Sequence, residues 1–82
     1  MNTTEIGEAV KVGAVFEGSL VCPKWFKWVG RKIDIKEITY TWETKHGEAP
    51  LLQFAVTDGV TMFELSFNKK SLEWRLEKSI VE

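Results

Sequence analysis

The feature that most constrains this chain is a pair of alternating runs on either side of Asp58-Gly59. Before it, Leu52, Phe54 and Val56 alternate with Gln53, Ala55 and Thr57; after it, Phe63, Leu65 and Phe67 alternate with Glu64 and Ser66. A period of two places one set of side chains on one face of a strand, so each run reads as a half-buried strand. Asp-Gly supplies the positive φ that tight hairpin turns need. As a two-residue turn it predicts Val56 opposite Thr61, Phe54 opposite Phe63 and Leu52 opposite Leu65, with the large apolar residues on one face. A chain organised around such a hairpin folds as an antiparallel sheet.

The same pattern recurs along the chain. Val10, Val12, Ala14 and Phe16 alternate, Gly18-Ser19 interrupts them, and Leu20-Val21-Cys22 resumes. Pro23 lacks a backbone donor, which predicts an edge position or a bulge there. Val29-Gly30 as a two-residue turn sets Trp28 opposite Arg31, Phe26 opposite Ile33 and Lys24 opposite Ile35; a three-residue loop with a bulge is the competing reading, because valine disfavours positive φ. Between Ile33, Ile35 and the later set Ile38, Tyr40, Trp42 the phase changes. A bulge near Lys36-Glu37 would return both sets to the core. Glu43 to Pro50 reads as a loop. At the C-terminus, a loop over Asn68–Ser71 sets Phe67 opposite Leu72, Leu65 opposite Trp74 and Phe63 opposite Leu76. The competitor there is a helix capped by Ser71, with Leu72, Leu76 and Ile80 at four-residue spacing. Trp28, Trp42 and Trp74 fall on expected core faces, where large aromatics supply much of the burial.

Residues 1–8 are polar and aperiodic and read as a flexible leader, leaving 9–82 as one β domain. The expected fold is all-β: an antiparallel meander of about five or six strands curled into a small barrel or roll. With 82 residues, 44% apolar and 12% aromatic, there is room for one domain with a real core. The lone Cys22 cannot form an internal disulfide. Met1 to Glu5 shows neither the basic start nor the apolar run of a signal peptide, and no apolar stretch is long enough to span a membrane, so the expected location is the cytoplasm.

Catalytic equipment is not evident. A nucleophile needs a base beside it and a group that orients the base. The one histidine, His46, lies in a loop of Gly, Glu and Pro, and Cys22 reads as a buried thiol among apolar neighbours. One Cys and one His cannot build a four-ligand zinc site, and the glycines do not form a phosphate loop. The expectation is a non-enzymatic protein with no cofactor, no metal, no membrane contact and no small-molecule substrate.

The charge distribution is uneven. Net charge is −1, yet residues 23–36 carry Lys24, Lys27, Arg31, Lys32 and Lys36 against Asp34 alone. In the two-residue-turn register, Lys27 faces Lys32 and Trp25 faces Asp34 on the surface opposite Phe26 and Trp28. Trp25, Lys27, Lys32 and Lys36 are therefore the candidate binding face. The bland alternative is a solvated edge whose lysines block strand-to-strand aggregation. As a binding face it suits an acidic or phosphate-bearing partner. A protein partner is favoured because the remainder of the chain is acidic; single-stranded nucleic acid, stacking on Trp25, is the alternative.

The middle of the chain reads Pro23-x-x-Phe26-x-Trp28-x-Gly30-Arg31-x-Ile33-x-Ile35-x-x-Ile38-x-x-x-Trp42, with Trp74-x-Leu76 near the end. This resembles a family of small bacterial β-domains of unknown function that share a Phe-x-Trp-x-Gly-Arg hairpin, a later Trp and a terminal Trp-x-Leu or Trp-x-Val. Some members accompany damage-bypass DNA polymerases. The resemblance implies a bacterial origin and an accessory role in repair. This chain is less Arg-rich than the family and lacks its acidic ending after Leu76.

Overall fold

The computed structural model describes residues 2–81. Their strands are β1 (Asn2–Ala9), β2 (Lys11–Glu17), β3 (Leu20–Trp28), β4 (Arg31–Asp34), β5 (Glu37–His46), β6 (Ala49–Thr57), β7 (Met62–Asn68) and β8 (Trp74–Val81). No helix occurs among the described residues. The all-β expectation holds. The strands number eight rather than five or six, and they form a five-stranded sheet, β1-β8-β7-β6-β5, and a three-stranded sheet, β2-β3-β4. These do not close into a barrel. Phe26 and Ile33 of the smaller sheet pack on Phe54, Val56, Phe63, Leu65, Phe67, Trp74 and Leu76 of the larger one. Phe26 meets Phe63 edge-to-face at 5.1 Å between ring centroids, and Trp74 lies 4.7 Å from Phe67.

The chain passes between the sheets at single residues. Ile35 N–H donates to Lys24 O at 2.9 Å and completes the β3–β4 hairpin, while Lys36 N–H donates to Thr57 O at 2.8 Å and opens the ladder with β6. The phase change read as a bulge at Lys36-Glu37 is this crossing. A bulge does follow, but at Thr39: Ile38 pairs with Val56 and Tyr40 with Ala55. That extra residue reverses the alternation, so Ile38 faces the core while Tyr40 and Trp42 face outward beside Ala55 and Gln53. The expectation of Tyr40 and Trp42 in the core is thus corrected. Tyr40 is 66% exposed and stacks on Trp42 at 5.5 Å.

Two loops are longer than expected by the same amount. The β6–β7 ladder pairs Val56 with Phe63, Phe54 with Leu65 and Leu52 with Phe67, leaving 58–61 as the loop. Asp58 Oδ1 accepts from the N–H groups of Val60 (2.9 Å) and Thr61 (2.7 Å) and holds it open. The β7–β8 ladder pairs Phe67 with Trp74 and Leu65 with Leu76, and Leu72 stays in the loop, exposed, with φ 63°. As far as Leu76 both registers differ from the expected ones by two residues, so the paired apolar residues keep their faces; beyond it Glu77 is an extra residue and Phe63 pairs with Ser79 rather than Leu76. The helical alternative for 72–80 is not adopted.

The expected leader is instead a strand. β1 pairs with β8 from Asn2 opposite Val81 to Ala9 opposite Arg75, interrupted between Glu5 and Glu8. Its side chains are mostly exposed, so it has no apolar alternation to read; backbone pairing, the Lys78–Glu5 ion pair at 3.6 Å and a hydrogen bond from the Arg75 guanidinium to Gly7 O hold it. The segment Glu43 to Pro50, read as a loop, contributes the ends of β5 and β6, joined by a tight turn at Gly47-Glu48.

Candidate functional site

The outer face of the three-stranded sheet is built by three registers. Val29 and Gly30, at φ 52° and 74°, form the two-residue turn that sets Lys27 opposite Lys32 and Trp25 opposite Asp34. Gly18, at φ 59°, opens the turn that sets Glu17 opposite Leu20. Between Trp25 and Pro23 the β2–β3 register shifts, with Lys24 as the extra residue. The expected bulge at Pro23 is therefore present, in the central strand. It brings Lys11 opposite Lys27 and Gly13 opposite Trp25.

A row of lysines, Lys11, Lys27 and Lys32, thus crosses the whole sheet on one face. Like charges directly opposite one another are unfavourable by up to ~1 kcal/mol per pair. Beside the row lies Trp25, half-buried, its indole covering Gly13. A Cβ at Gly13 would sit 2.1 Å from the indole Cε2 and Nε1, so this strand position admits no side chain while the ring stays in place. Lys32 Nζ stands 5.3 Å from the ring centroid, within reach of a cation–π contact, and 3.8 Å from Asp34 Oδ1.

Trp25, Lys27 and Lys32 are brought together as expected, whereas Lys36 is not. Past the crossing it turns to the β6–β7 loop, where its Cδ and Nζ approach the Cβ position of Gly59 to 3.1 and 3.3 Å. There it bears on Asp58. Partial burial pushes the Asp58 carboxyl up, but the Thr61 and Val60 N–H groups, its own N–H and the Lys36 charge together hold it below the ordinary carboxylate range. Lys11 and Gly13 instead join the face from β2, on the other side of β3. Counting back from Gly18-Ser19 without the bulge puts Lys11 one residue out of register; Pro23 was the signal that could have corrected it.

His46 is exposed at the end of β5, and Cys22 is half-buried rather than buried. A depression of about 510 Å³ on the outer face of the larger sheet is lined by His46, Leu51, Ser66, Asn68, Arg75 and Glu77, among others. Within it Ser66 Oγ donates to Glu77 Oε2 at 2.7 Å, and Arg75 Nε stands 4.0 Å from the same oxygen. Among the described residues, no cluster of His, Cys, Asp and Glu is arranged to hold a metal ion. No family model, curated protein or solved structure matches this chain.

Proposed function

We propose that this protein is a non-catalytic binding module of the cytoplasm that docks an acidic protein segment on the outer face of its three-stranded sheet. The observation that carries this is the cross-strand row Lys11, Lys27, Lys32 beside the indole seated on Gly13. Carboxylates laid along the row would relieve its self-repulsion. The amphipathic indole offers apolar contact area at low entropic cost. The net charge of −1 supports a protein over a nucleic-acid partner, since phosphate backbones demand a broader basic surface. The resemblance of the Phe26 to Arg31 hairpin makes a damage-bypass polymerase the first partner to try.

The test is titration with a glutamate-rich peptide, and separately with single-stranded oligonucleotide, followed by indole fluorescence and amide shifts. The expected result is saturable perturbation of Trp25, Lys27 and Lys32 by the peptide, lost in the Trp25→Ala, Lys27→Glu double variant. Perturbation by the oligonucleotide alone, weakening steeply with salt, would replace this reading with the nucleic-acid one. Silence to both overturns it.

A further inference from the structure

We propose that β2 is the seam of a symmetric dimer, in which two copies join their three-stranded sheets edge to edge. β2 is an edge strand, with β3 on one side and no strand on the other. Counted from the Gly18-Ser19 turn, the backbone groups of Glu17, Val15 and Gly13 face β3, while those of Phe16, Ala14 and Val12 face the open edge. Nothing guards this edge in the usual ways: β2 contains no proline, carries no bulge of its own, and holds its charges at its two ends. The other edges are less available. β4 has four residues, β1 is broken between Glu5 and Glu8, and β5 is bulged at Thr39 and carries Glu43 in its middle.

The strand Lys11-Val12-Gly13-Ala14-Val15-Phe16-Glu17 is complementary to itself when reversed. A two-fold axis through Ala14 places Lys11 opposite Glu17 of the second copy, Val12 opposite its Phe16, Gly13 opposite its Val15, and Ala14 opposite itself. The parity is the required one, since Val12, Ala14 and Phe16 are the residues whose backbone groups are free to bond across. Registers centred one residue away also satisfy parity, but they shorten the overlap and part Lys11 from Glu17.

Three observations independent of the edge fit this seam. The lysine row ends at Lys11, and the dimer sets a carboxylate beside it on the same face, so a run of like charge gains its counter-charge from the second copy. Neither Lys11 nor Glu17 forms an ion pair with another described residue. Val15 and Phe16 are 50% and 59% exposed in the isolated chain, and both come under cover: Phe16 against Val12, and Val15 against the edge of the Trp25 indole that lies over Gly13. Glycine in a strand paired across from a larger apolar residue is a recurrent way to pin register.

Sedimentation of the protein alone, from about micromolar to millimolar concentration, tests this without any ligand, so its failure leaves the acidic-partner reading standing. The expected result is a mass that doubles with concentration. Ala14→Pro should remain monomeric with its fold intact, because the N–H it deletes points at the open edge. Lys11→Glu and Glu17→Lys should each raise the concentration of half-dimerisation by about tenfold or more, and the double reversal should restore it to near the original. Should Ala14→Pro fail to fold, the reversal series decides alone. A monomer throughout the range, or a dimer that the reversals do not weaken and restore, overturns the proposal.

Discussion

Asp58 and Asn68 hold the first positions of two successive loops in the same way. Asp58 Oδ1 accepts from the N–H groups of Val60 and Thr61, and Asn68 Oδ1 accepts from those of Lys70 and Ser71, at 2.9 and 3.0 Å. Each side chain offers the backbone a local alternative to the ladder, and each loop is thereby lengthened at the expense of the following strand.

Replacing either acceptor should therefore destabilise the fold. Asp58→Ala and Asn68→Ala are each expected to cost about 0.5–2 kcal/mol, by analogy with helix N-caps that satisfy the same donors. Urea melts of the two variants measure this directly. An unchanged midpoint in both would show that the loops hold their shape without these bonds.

Asp58 also gives stability a dependence on acid. Its carboxyl is held below its unfolded value, so the ionised form stabilises the fold. That contribution is complete above the ordinary carboxylate range and is lost as pH falls through the lowered folded value. Wild type should lose stability over this acidic window, and Asp58→Asn should show a shallower slope in the same titration.

The seating of Trp25 on Gly13 predicts a separable effect. Gly13→Val must displace the indole, since a Cβ there overlaps the ring. The expected loss is ~1–3 kcal/mol with the fold retained, together with a red-shifted Trp emission and weakened peptide capture. A variant with unaltered emission would mean that the ring does not rest there.

Core truncation should be far more severe. Phe63→Ala removes a ring that meets Phe26 across the sheets, and Trp74→Ala one that meets Phe54 and Phe67. A loss of ~3–5 kcal/mol is expected for either, enough to unfold most of a population of ordinary stability. Far-UV circular dichroism at room temperature reads the outcome.

Val29 points the other way. It is 77% exposed and holds φ 52°, a conformation strained for a β-branched residue, at the turn position that prefers asparagine. Val29→Asn should raise stability by about 1 kcal/mol in thermal melts. A drop would mean that Val29 makes a contact worth more than its strain.

The sequence by itself determined that the chain is all-β and that Phe54, Phe63, Leu65, Phe67, Trp74 and Leu76 share the core, while the tertiary structure chose the two-residue turn at Val29-Gly30 over the three-residue loop. Alternation encodes the face of a side chain, and a register slip of two residues leaves every face unchanged. The loops held by Asp58 and Asn68 therefore moved the pairing without moving the core. A slip of one residue reverses the faces, and here the tertiary structure decided: the bulge at Thr39 turned Tyr40 and Trp42 outward, and the bulge at Lys24 carried Lys11 to Lys27 and Gly13 to Trp25. The crossing between Ile35 and Lys36 took Lys36 away from the face where its spacing placed it. β1 was invisible for a related reason. It is held by backbone hydrogen bonds along the edge of β8, and those bonds ask almost nothing of the side chains that a sequence records.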